Sequence, residues 1–434
     1  MDRILHWAVQ SQDKWRSIST ELYPDRHWLT EDDHPILCRK MEAAVQSLKK
    51  GKSAIVNNIP TEGVQAGGEH IITTVTTICN KIWQTGEWPT PWTQCSIITF
   101  PKKGNLQQCQ NYRTISLVSN PSKVTLKIIL NRLKPQAEKT IGEEPAGFTA
   151  GTSTTEQTFN LRILCEKYVQ HQQDLYHVWI DFKKAFDRVW RAALLATMKK
   201  YNISTNLIRV IKDFYDKATS AVFWKSSIGD WFRTTVGVRK GCELSPTLFN
   251  IFLERITTDA VEYREGTVSI GGRTTSNLRF ADDIDGLGGE ESELAKLVEC
   301  LDKTSTAYCM EISTKKTKLM TNNTSGINTE IKVNGQKLET VVSFKYLGLV
   351  IADEGSKPEL FSRIAQTTAA LTRLKPVWND RSISGLEPSS VITEPRYLKH
   401  VTVSSFCPFT LISVLMPLVL FVISLNLSAL ISMS

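Results

Sequence analysis

The sequence predicts an α+β fold built round an antiparallel sheet, on three observations. The apolar run Tyr176-His177-Val178-Trp179-Ile180 reads as a strand, ended by Asp181. In Leu278-Arg279-Phe280-Ala281-Asp282-Asp283-Ile284-Asp285-Gly286-Leu287 apolar residues flank two adjacent aspartates. That stretch reads as a β-hairpin with the carboxylates at its turn, because Asp tolerates the backbone angles of a tight turn. Between the two, Phe182, Ala185, Phe186, Val189, Trp190, Leu194 and Met198 recur at helix spacing and predict a helix directly after Asp181.

The 434 residues allow two or three structural units, and 41% apolar content supports a real core. The net charge of +8 fits a nucleic-acid partner but is common among soluble proteins. Nine scattered cysteines without a Cys-x-x-Cys pair argue against a zinc ribbon or knuckle and fit free thiols in a reducing compartment. Met1-Asp2-Arg3-Ile4-Leu5-His6-Trp7 lacks the apolar core of a secretory signal.

Taken in order, a helical pattern runs from Met41 through Ala44, Val45 and Leu48 to Lys49-Lys50-Gly51-Lys52. Gly51-Lys52-Ser53 is not a P-loop, because the preceding glycine is absent. A second helix is predicted over 71–83. Ile97-Ile98-Thr99-Phe100 reads as a strand and Pro101-Lys102-Lys103-Gly104 as the turn after it. A helix with Lys123, Lys127 and Arg132 follows; such a cluster neutralises phosphates or is an ordinary solvated basic face. Ser245-Pro246 predicts a helix start, with Ser as N-cap and Pro in the first turn, continuing through Leu248, Phe249, Ile251, Phe252 and Ile256. Another helix is predicted over 291–308, and Asn334-Gly335 signals a hairpin. Phe344-Lys345-Tyr346-Leu347-Gly348 alternates like an edge strand, and 362–378 has Ile364, Leu371 and Leu374 on one helical side.

Adjacent like charges repel, so a turn presents Asp282 and Asp283 together only with water or a cation, and a hard divalent cation suits paired carboxylate oxygens. A lone Asp-Asp pair is most often a solvated turn. Asp181 changes the odds, because a strand end lets its carboxylate leave the sheet edge. Beside Asp282 and Asp283 it completes a two-metal phosphoryl-transfer site, in which ions roughly 3.5–4 Å apart clamp the attacking and leaving oxygens.

Ile180-Asp181-Phe182-Lys183-Lys184-Ala185-Phe186-Asp187 and Phe280-Ala281-Asp282-Asp283 resemble the two catalytic carboxylate motifs of reverse transcriptases from non-LTR (LINE-type) retrotransposons. The resemblance spans residues 41–384, with further motifs in the family's order. It implies a right-hand polymerase fold with an RRM-like antiparallel palm sheet. The divisions expected are an N-terminal helical extension (1–80), fingers and palm (81–350), a truncated thumb remnant (351–400) and an uncharged hydrophobic tail (401–434).

The implied activity is RNA-directed DNA polymerisation, with deoxynucleoside triphosphates, an RNA template and a DNA primer as partners. Asp181, Asp282 and Asp283 are implied as catalytic residues and as ligands of two Mg²⁺ ions, for which Mn²⁺ can substitute. Phe182, Phe186, Arg113, Lys240, Gly241 and Lys316 are implied at the nucleotide. Among them Phe186 lies under the incoming sugar and excludes a 2′-hydroxyl. Arg113 faces template or nucleotide, Gly241 lets backbone approach a base or sugar, and Lys316 protonates departing pyrophosphate. Asp187 is expected as a helix-surface carboxylate rather than a metal ligand. Phe344, Tyr346, Leu347 and Gly348 resemble the primer grip. An endonuclease is expected from another chain, and the polymerase body is expected in cytoplasm or nucleus.

The chain departs from the family pattern at Ile55 and Asn57, where Gly and Asp are usual, and at Thr149 and Thr152, where Arg is usual. Arginines there would hold triphosphate or backbone oxygens by charge-assisted bonds; threonine offers a neutral hydroxyl. Lys240 replaces Gln, and Glu243 replaces an apolar residue and would repel a template strand. These departures and the missing thumb support an alternative, a decayed retroelement relic that binds nucleic acid or is inert. From Val401 onward no residue is charged, and 409–430 is long enough for a bilayer, for which about 20 apolar residues suffice. Arg396 and Lys399 before it would keep the bulk cytosolic. Two readings of this tail stand: a membrane anchor on a repurposed polymerase body, or a fragment of a foreign reading frame.

Overall fold

Apolar residues recur with two periods, and each finds its element in a computed structural model. It describes residues 34–51, 59–102, 104–139, 141, 145–147, 153–224, 227–261, 267–270, 272–323, 330–352, 365, 368, 369, 372 and 373. The departures at Ile55, Asn57, Thr149 and Thr152 lie outside the described residues. So do the tail over 401–434 and most of the expected thumb helix over 362–378. Among the described residues no helix is long and apolar enough to cross a membrane.

The chain divides into two units, Met1–Leu347 and Gly348–Ser434. In the second, the described residues form a strand, Leu349–Ala352, and helical positions at 365, 368, 369, 372 and 373. In the first, the main elements run α1 (Cys38–Gln46), α2 (Gly68–Thr85), β1 (Gln94–Pro101), β2 (Tyr112–Val118), α3 (Asn120–Glu138), β3 (Pro145–Ala146), α4 (Thr154–Gln170) and β4 (Tyr176–Ile180). They continue with α5 (Arg191–Lys200), α6 (Thr205–Asp216), β5 (Thr219–Trp224), α7 (Ser245–Val261), β6 (Asn277–Phe280), β7 (Asp283–Gly288), α8 (Glu291–Ala307), β8 (Lys318–Thr321), β9 (Glu339–Thr340) and β10 (Ser343–Tyr346). Serines open three helices: the Ser119, Ser153 and Ser204 hydroxyls accept from the N–H groups of Ser122, Glu156 and Leu207.

The architecture is α+β. The central sheet has the order β9-β8-β4-β7-β6-β3. Its inner four strands are antiparallel, and two-residue parallel strands close both edges. Tyr176, Val178, Ile180 and Ile284 share one core with Phe249, Phe252 and Ile256 of α7 and Leu294, Leu297 and Val298 of α8. Burying a phenylalanine contributes about 1.5–3 kcal/mol, so this helix-covered face is what the sheet rests on. His177 and Trp179, the alternate residues of β4, point to the opposite face. A second sheet pairs β1 antiparallel with β2 and parallel with β5.

Four expectations need correction. The helix after Asp181 is two pieces, a turn Ala185–Arg188 and α5, parted by Val189 and Trp190. The Phe186 and Val189 carbonyls accept from the N–H groups of Val238 (2.8 Å) and Gly237 (2.9 Å), so tertiary pairing overrides the local period. The left-handed residue of the hairpin turn is Ala281 (φ 55°), not an aspartate. Ser245 is the first helical residue rather than the one before it, and its hydroxyl lies 3.4 Å from that of Tyr215. Finally, the cations of α3 are engaged within the protein. Lys123 donates to Asn120 Oδ1, Lys127 pairs with Glu243 at 3.2 Å, and Arg132 donates to His34 O and lies over the Trp83 ring. Glu243, expected to repel a template, thus has a counter-charge.

Candidate active site

The site forms where β4 and β7 run out beside each other. Their register pairs Ile180 with Ile284, so the next residues outward, Asp181 and Asp283, face each other on one side of the sheet. Asp282 sits with Ala281 in the two-residue turn that joins β6 to β7. Gly147 packs under this turn in the left-handed region (φ 105°), and a Cβ there would lie 2.6 Å from Ala281 N. Asn250 Nδ2 donates to Gly147 O at 3.0 Å, tying the same point to α7. A buried ion pair, Arg279 with Glu254 at 3.0 Å, and the Gln157 amide donating to Arg279 O brace β6 from behind.

Electrostatics mark the three carboxylates as one group. Burial pushes Asp282 up, and Asp181 adds to this, offset by Lys240 and Lys316. Burial, then Asp282, then Asp181 push Asp283 up to about 6 against the pull of Lys316. Lys316 Nζ donates to both oxygens of Asp181, at 3.0 Å each. A set of mutually repelling oxygen donors, one already held by an ammonium, fits a hard divalent cation. Among the described residues no three His, Cys, Asp or Glu side chains form a ready-made metal cage.

Lys240 and Lys316 act on the carboxylates and belong to a wider cationic cluster. Burial lowers Lys102, and the charges of Lys240, Lys316, Arg113 and Lys184 lower it further, so five cationic side chains share one neighbourhood. The sequence singled out Lys240, Lys316 and Arg113. It gave Lys102 only a turn and Lys184 no role, and a lysine pair closing a strand was the one available signal. Lys240 Nζ binds Asp187 at 2.7 Å.

Phe186 is half-buried and stacks on Phe249, with ring centroids 4.5 Å apart. Phe182 is buried in the core and bridges to Ile312, so its side chain does not line the site surface. Gly241 is exposed (φ 97°), and a Cβ there would press on Ile115 and Ser116 O at 3.0 Å. The close approach at Gly241 is therefore to β2 of the second sheet. Phe344 stacks on Trp179 at 4.4 Å. Tyr346 is buried, and burial first, then Asp285 and Asp283, raise its hydroxyl pKa. Leu347 and Gly348 both have positive φ, 47° and 91°.

The sequence missed a buried pair beneath the site. His177 Nδ1 lies 3.1 and 3.2 Å from the two oxygens of Asp285, and its Nε2 lies 3.7 Å from Cys165 Sγ.

Comparison with known proteins identifies the family. Residues 100–351, more than half the chain, match the family described as reverse transcriptase (RNA-dependent DNA polymerase). The chain is 26% identical over 329 residues to the probable RNA-directed DNA polymerase from transposon BS of Drosophila melanogaster, covering 73% of this chain and 36% of that protein. It is 28% identical over 289 residues to the RNA-directed DNA polymerase from mobile element jockey of the same species, covering 63% and 30%. The chain thus spans about a third of the length of these curated relatives. Among solved structures, apo telomerase from Candida tropicalis matches with a TM-score of 0.45 and 16% identity, over 61% of this chain and 54% of that one. The chain belongs to the reverse transcriptase (RNA-dependent DNA polymerase) family.

Proposed function

We propose that this chain is the RNA-directed DNA polymerase of a retrotransposon, adding deoxynucleotides to a primer 3′-hydroxyl on an RNA template. One observation carries it: Asp181, Asp282 and Asp283 meet across adjacent strands, with the charges of Lys240 and Lys316 acting on them. The relatives named as polymerases of mobile elements support it.

The family uses divalent metal ions. Two Mg²⁺ ions held by Asp181, Asp282 and Asp283, or Mn²⁺ in their place, would supply the charge that acidifies the 3′-hydroxyl and screens the triphosphate. The chain's own groups do the rest. Lys102, Arg113 and Lys240 offer cations for phosphate oxygens. Phe186, braced on Phe249, forms a floor for the sugar, and Gly241 seats the loop that carries Lys240 closely against β2. Lys316, whose Nζ donates to both Asp181 oxygens, is assigned as the proton donor to the departing pyrophosphate. Phe344, Tyr346, Leu347 and Gly348 hold the primer end. Catalysis of this kind is positioning and charge stabilisation, so the bracing behind β6 matters as much as the carboxylates.

Primer extension by the full chain tests the assignment, with an RNA template, a DNA primer, deoxynucleotides and Mg²⁺. The wild-type chain should extend, and an Asp282→Ala/Asp283→Ala variant should lose roughly 10⁴-fold or more of the rate. Equal extension by the variant, or none by the wild type, would overturn it.

A further inference from the structure

Arg191 is the first residue of α5, a helix end where the backbone dipole disfavours a cation. Its guanidinium is spent on a loop instead. Nε donates to Gly237 O (2.9 Å), Nη1 to Tyr215 O (3.1 Å) and Thr234 O, and Nη2 to Val236 O (3.1 Å) and Thr234 Oγ1 (3.4 Å). A guanidinium has five N–H groups, and all five are used. The group lies over the Tyr215 ring, 4.7 Å from its centroid. No acceptor is a carboxylate, so the arrangement orders backbone rather than cancelling charge.

The ordered loop has a definite neighbour. Gly237 and Val238 donate their N–H groups to the Val189 and Phe186 carbonyls, and Lys240 reaches Asp187. The segments 186–189 and 234–240 are thereby tied at three points, where the helix breaks and frees those carbonyls.

We propose that Arg191 is a positioning residue for the nucleotide site: it fixes segment 234–238 so that Phe186 and Lys240 form one rigid wall. The proposal rests on the assignment of Phe186 and Lys240 to the incoming nucleotide. Lysine cannot replace the guanidinium, since a point charge with three donors does not match five fixed acceptors.

Residue-resolved hydrogen exchange on the full chain tests this without requiring activity. In Arg191→Met, exchange at the Gly237 and Val238 amides should rise about tenfold, the scale of one lost hydrogen bond, while β4 and β7 amides keep their protection. Arg191→Lys should show a smaller rise at the same two amides, and it carries the test if Arg191→Met does not fold. In primer extension the variants should raise KM for deoxynucleotide about tenfold, with kcat little changed, as expected for lost ground-state binding. No rise at Gly237 and Val238, or an equal rise throughout the sheet, would overturn the proposal. A wild-type chain that fails to extend would sink the polymerase assignment, while the exchange pattern would still decide whether Arg191 fixes the loop.

Discussion

Asp283 and Asp285 lie two residues apart on β7 and face the same side of the sheet, yet their surroundings are opposite. Asp285 is fully buried, with His177 against both its oxygens and Trp179 stacked on that imidazole at 5.1 Å. Burial alone would push His177 down, but the Asp285 carboxylate outweighs it and holds the imidazole up at about 10. Asp283 is only half-buried, but its neighbours are two more carboxylates. Depth does not separate the two charges here; the sign of the nearest neighbours does. The fold answers Asp285 with an imidazole, while Asp283 meets two further carboxylates, with Lys316 the opposing charge.

The comparison breaks most sharply at Asp285. Asp285→Ala strands a buried imidazole and should cost about 3–5 kcal/mol, read by urea unfolding. A loss below about 1 kcal/mol would mean the pair braces nothing. Because the His177 pKa is raised above its usual 6.5, the pair's contribution should be present below about pH 6.5 while Asp285, whose own pKa burial raises, stays ionised, and it should fade as pH climbs toward 10.

A smaller effect belongs to Asp283. With a pKa of about 6, it should take up a proton as pH falls through that value, and Mn²⁺ affinity should drop up to tenfold per pH unit below it. Titration followed by electron paramagnetic resonance would show this; constant affinity between pH 7 and pH 5 would contradict the crowding of carboxylates. The smallest effect is a gain. Here the folded pKa lies above the unfolded one, so the ionised carboxylate destabilises the metal-free fold at neutral pH and costs nothing below about pH 4. Asp283→Asn should therefore stabilise the metal-free chain at pH 7 by on the order of 1 kcal/mol, allowing for solvent screening, and the gain should vanish toward pH 4. Destabilisation at pH 7 would show that Asp283 is answered within the fold after all.

Much of the sheet was legible because strand period and turn chemistry are local. The run ending at Asp181 and the hairpin at Asp282 announce themselves within ten residues. What failed to show was pairing over distance. His177 and Asp285 are 108 positions apart, and nothing in either neighbourhood names the other. Lys127 and Arg132 left a phosphate-neutralising cluster and a solvated basic face both open, because a sequence displays charge and conceals its partner. The helix break at Val189 was hidden for the opposite reason: apolar spacing continued across it, so Arg191 read as one more helical residue. Lys102 was passed over because a lysine pair in a turn has no period.

Gly147 has a consequence for sequence variation. It has no side chain, lies far from the aspartates in sequence, and packs under the Ala281-Asp282 turn, where an added Cβ would lie 2.6 Å from Ala281 N. Any other residue there would push on the Ala281 nitrogen while Asn250 holds the carbonyl in place. A random screen for inactive variants would thus recover a position with no chemistry of its own, and its rank would measure how tightly the turn must be seated.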